Sequence, residues 1–491
     1  MIKQNKNHNK RKTGMQPASL SAPFALRGGQ GMGLLTMLLF CLLLSSCGLY
    51  NKYERPDVNT TGLYRDVQSD VDTLVTNTDE NFGQLPWREV FTDPQLQNLI
   101  ETALENNTDL RNAALNVKMM EDMLKVAKLA FLPSVAIAPT GTISRVHMDG
   151  ASTSKTYSLP ISASWNVDLF GNILSQKRSA QVQLLATKDY QVAVQTNIIC
   201  GVANLYYTLM MLDEQLAIVT DMEGLVKDTW DMMKLQKDLG MARSTSVQSA
   251  EASYYQVQAQ AVDLRRQIRE VENSMSLLLN EAGHRIDRGR FDDQQLPEKF
   301  SAGVGIQLLS NRADVHAAEM ALAQCFYDVE TARSRFYPSI NVTGNAIFTN
   351  SLGAAIVNPG KWITQAVGSL TQPIFQHGQI VAGLRVAKAQ QEQALNTWQN
   401  TILKAGNEVS NALLLYNSSS ERVQLDQRQV EVLTQNVEDT RQLYKSKGSS
   451  YLEVIQAQNS LLNARITKVT DDFSKMQAVV NLYQALGGGS K

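Results

Sequence analysis

The stretch Tyr157-Ser-Leu-Pro-Ile-Ser-Ala-Ser-Trp-Asn-Val-Asp-Leu169 alternates apolar and polar residues over 13 positions. A period of two predicts a β-strand with one apolar and one polar face. Its antiparallel partner is expected from Ser134 to about His147, across a loop rich in Gly, Ser and Lys. Small polar residues on one face suit a water-filled transmembrane barrel, although the edge of a soluble sandwich gives the same alternation.

This strand belongs to a unit that occurs twice. Residues 109–170 recur as residues 314–375, at a constant offset of 205 positions without an insertion. The matching residues are Asp109, Ala113, Phe131, Pro133, Ser134 and Phe170, which recur as Asp314, Ala318, Phe336, Pro338, Ser339 and Phe375. A fixed offset indicates tandem duplication of one supersecondary unit. The second copy therefore predicts a matching hairpin, with strands at 340–348 and 362–373.

Proline is absent between Pro160 and Pro297 and again after Pro373. Because proline interrupts helices, both stretches can form long helices. We expect long helices at about 172–239 and 377–447, with shorter return helices at about 245–283 and 452–486. Further helices are expected at about 94–130 and 307–335, so that two short helices stacked end to end match one long helix in each half.

Apolar residues in these stretches follow heptad spacing, which predicts coiled-coil packing. The first seam comprises Ile198, Val202, Leu205, Leu209, Leu212, Leu216, Val219, Met222, Val226 and Met233. The second seam comprises Ile402, Ala405, Val409, Ala412, Tyr416, Val423, Val430, Leu433, Val437 and Tyr444. Each long stretch is interrupted once by glycine and small polar residues, at Gly240 and Gly448. These breaks are predicted to be helix–helix turns in which Ser or Thr caps the return helix.

The N-terminus has the pattern of an exported lipoprotein. Six basic residues and no acidic ones precede an apolar run from Met32 to Leu44, which is too short to span a bilayer. Ser45 and Ser46 then precede Cys47, as in the bacterial lipobox, so residues 1–46 are predicted to be a lipoprotein signal peptide and Cys47 the lipidated first residue. Gly48 rather than Asp after the cysteine favours the outer membrane over the inner one.

Charge and motifs exclude other classes of protein. Residues 48–491 carry 40 Lys and Arg against 47 Asp and Glu, a net charge of about −7, which argues against nucleic-acid binding. The sequence has no phosphate-binding loop, no nucleophile elbow and no metal-binding spacing of its five histidines, so no enzyme activity, cofactor or metal is expected. Cys200 and Cys325 lie in predicted helices and are expected to be small apolar residues rather than a disulfide.

The number of strands bears on assembly. One chain offers four strands, whereas bacterial barrels begin at about eight and lipid tolerates no open sheet edge. A ring of identical chains would close the sheet and would also give the narrow helical seams their neighbours.

Several motifs in their order and spacing are similar to those of the outer-membrane efflux protein family of TolC and OprM. They are Trp87 to Leu96, Ala103-Leu-Glu-Asn-Asn107, Asn311-Arg-Ala-Asp-Val-His-Ala-Ala-Glu319, the two Pro-Ser strand entries, and Tyr444 to Ala457. The resemblance implies a homotrimer with a twelve-stranded β-barrel, a periplasmic α-helical tunnel and an equatorial collar. It also implies a passive efflux channel, embedded in outer-membrane lipid, that docks a periplasmic membrane-fusion adaptor and an inner-membrane pump of the RND type.

The resemblance assigns roles to the two turns. The adaptor-docking tip would comprise Gly240, Met241, Ala242, Arg243, Ser244, Gly448, Ser449, Ser450 and Tyr451. The pore constriction would comprise Thr245, Ser246, Glu453 and Gln456. Glu453 matches an acidic position of the family, but Gln456 replaces the second acid and Ser246 stands where TolC has an acid that locks the closed state. The constriction is therefore expected to rest on Glu453, hydrogen bonds and the apolar Met241 and Tyr451.

The expected fold is mainly α with transmembrane β, built from a duplicated unit of helix, β-hairpin and long helical hairpin. The predicted domains are a lipidated N-terminal segment and equatorial part (47–93), a first repeat (94–283), an equatorial linker (284–306) and a second repeat (307–491). The alternatives are a periplasmic helical-hairpin scaffold or adaptor lipoprotein, which usually carries one hairpin, and a lipid-anchored enzyme, for which no polar constellation is present.

Overall fold

The computed structural model describes residues 51–57, 82–146, 152–297, 312–351, 361–446 and 448–489. The chain divides into two compact units, Met1–Asn51 and Lys52–Lys491. All helices and strands reported below belong to the second unit. The signal peptide and Cys47 lie outside the described residues, as do most of the two loops that join the predicted strand pairs.

The described residues up to Leu278 contain five α-helices and three strands, and all of these except α1 lie within the first repeat. Helices α1 (Trp87–Val90), α2 (Pro94–Asn106) and α3 (Thr108–Leu129) lead into strands β1 (Ser134–Ile137), β2 (Thr140–Val146) and β3 (Ser152–Val167), which are followed by α4 (Asn172–Asp238) and α5 (Ser244–Leu278). A 3₁₀ turn at Phe291–Asp293 follows in the linker. Gly171, in the left-handed region at φ 70°, starts the 67-residue helix α4 directly after the sheet.

The second repeat has the same order: α6 (Ala313–Ser334), β4 (Ser339–Ser351), β5 (Lys361–Thr371), α7 (Gln379–Lys445) and α8 (Tyr451–Ala485). Helices α4 and α7 both have 67 residues, and α5 and α8 both have 35. Each helix of the second hairpin begins 207 positions after its counterpart, so two residues are inserted between Phe375 and α7. The duplication inferred from residues 109–170 therefore extends through the helical hairpins.

The prediction of one helix over residues 94–130 was wrong. Asn107 adopts an extended conformation between α2 and α3. Its Oδ1 accepts hydrogen bonds from the backbone N–H groups of Asp109 and Leu110, and its Nδ2 donates to the carbonyl of Leu278 at 2.9 Å. The buried amide thus caps α3 and also ties it to the end of α5. Arg312, 205 positions later, precedes α6 and donates to the carbonyl of Ala485 at 2.8 Å.

The heptad seam of the first hairpin is confirmed. Eight of its ten residues are buried, and Leu205 and Leu216 pack against the same core. In α7 the seam is buried from Ile402 to Tyr416 and at Val437 but is only partly covered elsewhere. Cys200 is buried in α4, Cys325 is half-buried in α6, and both are free thiols.

The strands form one antiparallel sheet in the order β1–β3–β4–β5, with β2 also paired to β3. The expected single partner strand from Ser134 to His147 is divided at Ala138 and Pro139, because proline has no N–H for the ladder. Ile161 pairs with Ala346 and Val167 with Ile340, whereas Ser162 pairs with Asn345 and Asn166 with Asn341. The register therefore continues one mainly apolar face and one mainly polar face from β3 to β4.

Candidate functional site

The first helical turn is a tight glycine turn. Gly240 has φ 71°, which glycine adopts without strain, and its N–H donates to the carbonyl of Lys237. The N–H of Met241 donates to the carbonyl of Gln236 at 2.8 Å, and Ala242 continues the turn. Leu239 and Met241 are 65% and 62% exposed, so the end of this hairpin presents apolar side chains to its surroundings.

The return helices are not capped as predicted. Arg243, rather than a Ser or Thr, occupies the N-cap of α5, and its side chain makes no capping bond. Ser450 does occupy the N-cap of α8, but its hydroxyl lies 3.0 Å from Glu453 Oε1 and makes no bond to a backbone N–H. Ser244 is the first residue of α5. The first turn of each return helix is instead closed by the N-cap carbonyl, which accepts from the Ser246 N–H at Arg243 and from the Glu453 N–H at Ser450, each at 3.1 Å.

The second turn is closed by backbone bonds. The N–H of Gly448 donates to the carbonyl of Leu443 at 2.8 Å, and the Ser449 hydroxyl donates to the carbonyl of Thr440 at 3.2 Å. Tyr451 begins α8 and packs with Met233, Val247 and Ala250 of the first hairpin.

A tyrosine in the second hairpin ties the two turns together. The Tyr444 hydroxyl donates to Gln236 Oε1 at 2.6 Å and lies 3.2 Å from Met233 Sδ. Burial raises the pKa of Tyr444 and raises that of its neighbour Tyr451 to about 12, so both phenols are neutral. The sequence predicted Tyr444 only as an apolar seam residue, because nothing local shows that its hydroxyl meets a helix 208 positions away.

The predicted constriction residues lie in the first turns of the return helices. Thr245, Glu453 and Gln456 are exposed, and Ser246 is half-buried. Ser246 precedes Glu453 by 207 positions, so the two occupy equivalent places in the two repeats. One chain cannot bring copies of these side chains around a common axis, and their role as a constriction stays a prediction.

The segment at residues 51–57 is anchored on α6. Arg55 forms a two-pronged ion pair with Glu319, with Nε 2.7 Å from Oε1. The Tyr53 ring contacts Phe326 edge-on at 6.0 Å, and its N–H donates to the Tyr327 hydroxyl. These contacts hold the chain close behind Cys47 against the helix that leads into β4. No local sequence pattern indicates these contacts, because they join residues 264 and 274 positions apart.

Two further features concern the residues that the structure describes. No helix among them is both long and apolar enough to cross a bilayer. No group of three or more His, Cys, Asp and Glu side chains in those residues is placed to hold a metal ion.

Comparison with known protein families matches residues 99–281 and 305–488 to the outer membrane efflux protein family. The chain belongs to this family. Cation efflux system protein CusC of Escherichia coli O157:H7 is 27% identical over 456 residues, which cover 92% of this chain and 98% of that protein. Toluene efflux pump outer membrane protein TtgC of Pseudomonas putida is 27% identical over 467 residues, 93% of this chain and 95% of that protein.

A solved structure of the outer-membrane channel OprN superposes with a TM-score of 0.82 at 23% identity, covering 90% of this chain and 99% of that chain. The family expected from the sequence and a mainly α fold with a β domain are confirmed, whereas the closed trimeric barrel stays a prediction. The protein is the outer-membrane channel component of a tripartite efflux system, with a β domain and a long periplasmic helical part. Proteins of this kind work with a periplasmic adaptor and an inner-membrane pump.

Proposed function

We propose that three copies of this chain close into one passive channel that conducts the cargo of an inner-membrane pump to the cell exterior. The sheet of one chain ends at β5 on one side and at β1 and β2 on the other. Lipid offers no hydrogen-bond partner to such edges. Strands β1 and β2 lie end to end along β3 and form one strand position, so each copy offers four positions. Pairing β5 of each copy with the opposite edge of the next gives a closed barrel of twelve strands from three copies.

Uncovered apolar faces on two helices carry the proposal. In α3 the exposed residues Leu115, Met119, Met123, Val126 and Leu129 lie on one face, each 53–63% exposed. In α7 the residues Leu403, Leu414, Leu425 and Val432 are 56–68% exposed. Helix α3 leads into β1 and meets the end of α5 at Asn107, and α7 follows β5, so joining the two sheet edges brings the stacked α3 and α5 of one copy beside α7 of the next. The contact would remove both faces from water.

The remaining assignments follow from this assembly. The tips at 240–244 and 448–451 would dock the membrane-fusion adaptor, supported by the exposed Leu239 and Met241. Glu453 would narrow the pore, since three copies of it would repel one another unless protonated or bridged by a cation. Lipidated Cys47 would anchor the equatorial part 47–93, with linker 284–306 between the repeats 94–283 and 307–491. The pump, of the RND type, would select the cargo, and the channel itself would have no catalytic activity.

Sedimentation of the detergent-solubilised protein tests the assembly. The wild type should sediment as a trimer and insert conducting pores in planar bilayers. Leu425→Asp should shift it to monomer, because Leu425 lies about 70 Å along α7, beyond the reach of α3, and the charge would be buried against α5 of the next copy. Gln424→Asp is the matched control on an exposed position of the same helix and should leave the trimer intact. A monomeric wild type without conductance would contradict the proposal and favour the periplasmic scaffold.

Single-channel recording tests the constriction separately. Glu453→Ala should raise resting conductance or reduce cation preference and block by divalent cations, because three negative charges would leave the pore. Gln442→Ala, an exposed polar position before the turn, serves as the control. A Glu453→Ala channel with wild-type conductance, selectivity and block would place the gate elsewhere while leaving the trimeric channel intact.

A further inference from the structure

A cleft of about 620 Å³ opens between α5 and the start of the linker after it. Its lining includes four arginines, Arg265 and Arg269 on α5 and Arg285 and Arg288 in the linker. Leu216 and Ile268 supply an apolar part of the wall. Nothing in the proposed channel function uses this cleft.

One arginine forms the neutralised floor of the cleft. The Arg288 side chain is only 9% exposed and lies between Asp213 and Glu272, with Nε 2.5 Å from Asp213 Oδ2 and Nη1 2.7 Å from Glu272 Oε1. Nη1 also donates to the carbonyl of Ile286 at 2.8 Å. Asp213 and Glu272 are the two acids that line the cleft, and Arg288 forms an ion pair with each of them. The site is therefore rigid at its base and has no acid left for the other arginines.

The neighbouring acids on α5 are also paired. Arg266, which lies next to Arg265 on α5, forms ion pairs with Asp263 at 2.7 Å and with Glu270 at 2.6 Å. Within the residues that the structure describes, no ion pair or hydrogen bond joins Arg265, Arg269 or Arg285 to an acid. Arg265 and Arg269 are one helical turn apart, where like charges destabilise a helix. The fold thus maintains an unbalanced positive charge at this cleft in a mature chain whose net charge is negative.

The cleft is built by close packing. A Cβ added to Gly283 would lie 2.7 Å from Asn273 Oδ1, so the Asn273 side chain would have to move to accept any other residue there. The linker then places His284 and Arg285 beside the arginines of α5, and His284 Nδ1 is satisfied by the carbonyl of Ala282 at 3.0 Å. Positions 207 residues after Arg265 and Arg269 hold Asp472 and Met476, so the second repeat has no counterpart.

We propose that this cleft binds an acidic peptide segment of a periplasmic partner protein, with carboxylates seated on Arg265, Arg269 and Arg285. The guanidinium fork matches a carboxylate in two-pronged geometry. Side chains one helical turn apart are separated by about 6 Å, close to the roughly 7 Å between alternate residues of an extended peptide. Acidic residues at alternate positions would therefore reach Arg265 and Arg269 together.

The position of the cleft argues against a lipid headgroup. Asp213 lies 41 residues along α4 from its start at the sheet, or about 60 Å at 1.5 Å per residue. An anionic lipid of the membrane that holds the sheet cannot span that distance. A soluble acidic segment can reach the cleft from the periplasm, and the half-buried Leu216 in the wall can pack against its methylene groups.

Fluorescence anisotropy with a labelled Glu-Ala-Glu-Ala-Glu peptide tests the proposal on the full-length trimer at low ionic strength. Binding should weaken as salt is added. The Arg265→Gln/Arg269→Gln/Arg285→Gln variant should lose about 1,000-fold in affinity, since each of the three charge-assisted contacts contributes roughly tenfold. Arg428→Gln, at an exposed position on α7, should change affinity less than twofold. A Gln-Ala-Gln-Ala-Gln peptide should not bind.

Peptide affinity and melting temperature, measured together, distinguish a binding site from arginines that are only solvated. Arg269→Gln alone should bind the peptide more weakly yet melt at a higher temperature without peptide, because it removes the repulsion from Arg265. Equal peptide affinity in the triple variant, or equal loss in Arg428→Gln, would overturn the proposal. Binding of inorganic phosphate or pyrophosphate without binding of the peptide would overturn the peptide assignment. A triple variant that falls apart into monomers would show that a neighbouring copy fills the cleft.

Discussion

The two helical hairpins have identical lengths but opposite chemistry at one matched position. In the first hairpin, Val219 of α4 and Leu264 of α5 are buried, at 0% and 8% exposure. The residues 207 positions later are Asp426 of α7 and Asp471 of α8, and Asp471 is only 3% exposed. An apolar contact in one hairpin is thus a carboxyl pair in the other. Duplication preserved the helix lengths and the seam spacing but not the chemistry inside the seam.

The carboxyl pair persists because it is partly compensated. The Arg422 guanidinium lies 2.8 Å from Asp471 Oδ2. Burial raises the pKa of Asp471 to about 6, and its hydrogen bond to Asp426 acts in the same direction. Asp472 on the same helix pairs with Lys468 at 2.9 Å and also raises that pKa. A shared proton lets two carboxyl groups meet in a seam where two carboxylates would repel.

The largest expected effect comes from placing a carboxyl group of the second hairpin at the matching apolar position of the first hairpin. Val219→Asp would bury a charge with no arginine beside it and should destabilise the chain by about 3–5 kcal/mol, seen as a lower melting temperature. The reciprocal change, Asp426→Val, should be neutral or stabilising, because it removes a buried polar group at a matched position. Similar losses from both changes would show that the two seams are not chemically distinct.

A smaller effect should appear as pH dependence confined to the second hairpin. The folded chain holds a proton on the pair that the unfolded chain releases at lower pH, so stability should fall as pH rises from about 4 through 6. The loss would be up to about 3 kcal/mol per chain. Thermal melting across this range should show a flatter dependence for Asp471→Asn. Asp439→Asn, an exposed position on α7, is the control and should keep the wild-type slope; parallel curves for all three proteins would contradict the shared proton.

The smallest expected effect concerns a contact that both repeats keep with different residues. Asn107 donates to the carbonyl of Leu278, and Arg312 donates to the carbonyl of Ala485 at the equivalent place. Asn107→Ala should cost about 1–2 kcal/mol, because α3 loses its cap and the α5 carbonyl loses a donor. Asn106→Ala, at the exposed neighbouring position, should cost less than about 0.5 kcal/mol. Equal melting temperatures for both variants would show that the buried amide contributes nothing.

The two hairpins also differ in how much of their surface the chain itself covers. Helix α4 packs against α2, α3, α5, α6 and α8, whereas α7 packs mainly against α6 and α8. The sequence gives both helices the same heptad spacing, so spacing alone predicts equal burial. The exposed Leu414 and Leu425 of α7 arise because only one side of that helix has neighbours within the chain. The number of neighbours depends on the order of elements in space, which periodicity does not encode.

At the candidate site, the sequence predicted the positions of the two turns but not the side-chain contacts around them. Glycines and small residues at 240 and 448 located both turns, because a helix must break where its apolar spacing stops and a left-handed residue is available. The expected Ser or Thr cap of α5 was wrong, because the helix begins at Ser244 and Arg243 therefore occupies the N-cap. The bond from Tyr444 to Gln236 joins residues 208 positions apart, and no local pattern indicates it.

The sequence by itself determined the duplicated unit, the lengths of the long helices and the alternating face of β3, because each follows from periodicity along a few turns or residues. Only the tertiary structure decided which side chains meet across that framework. Asp426 meets Asp471, and Arg55 forms an ion pair with Glu319. In the part of the chain that the structure describes, Arg265, Arg269 and Arg285 have no acidic partner, because Arg266 pairs with Asp263 and Glu270 and Arg288 pairs with Asp213 and Glu272. Each of these outcomes depends on the distances between elements remote in sequence, and long-range geometry rather than local preference fixes those distances.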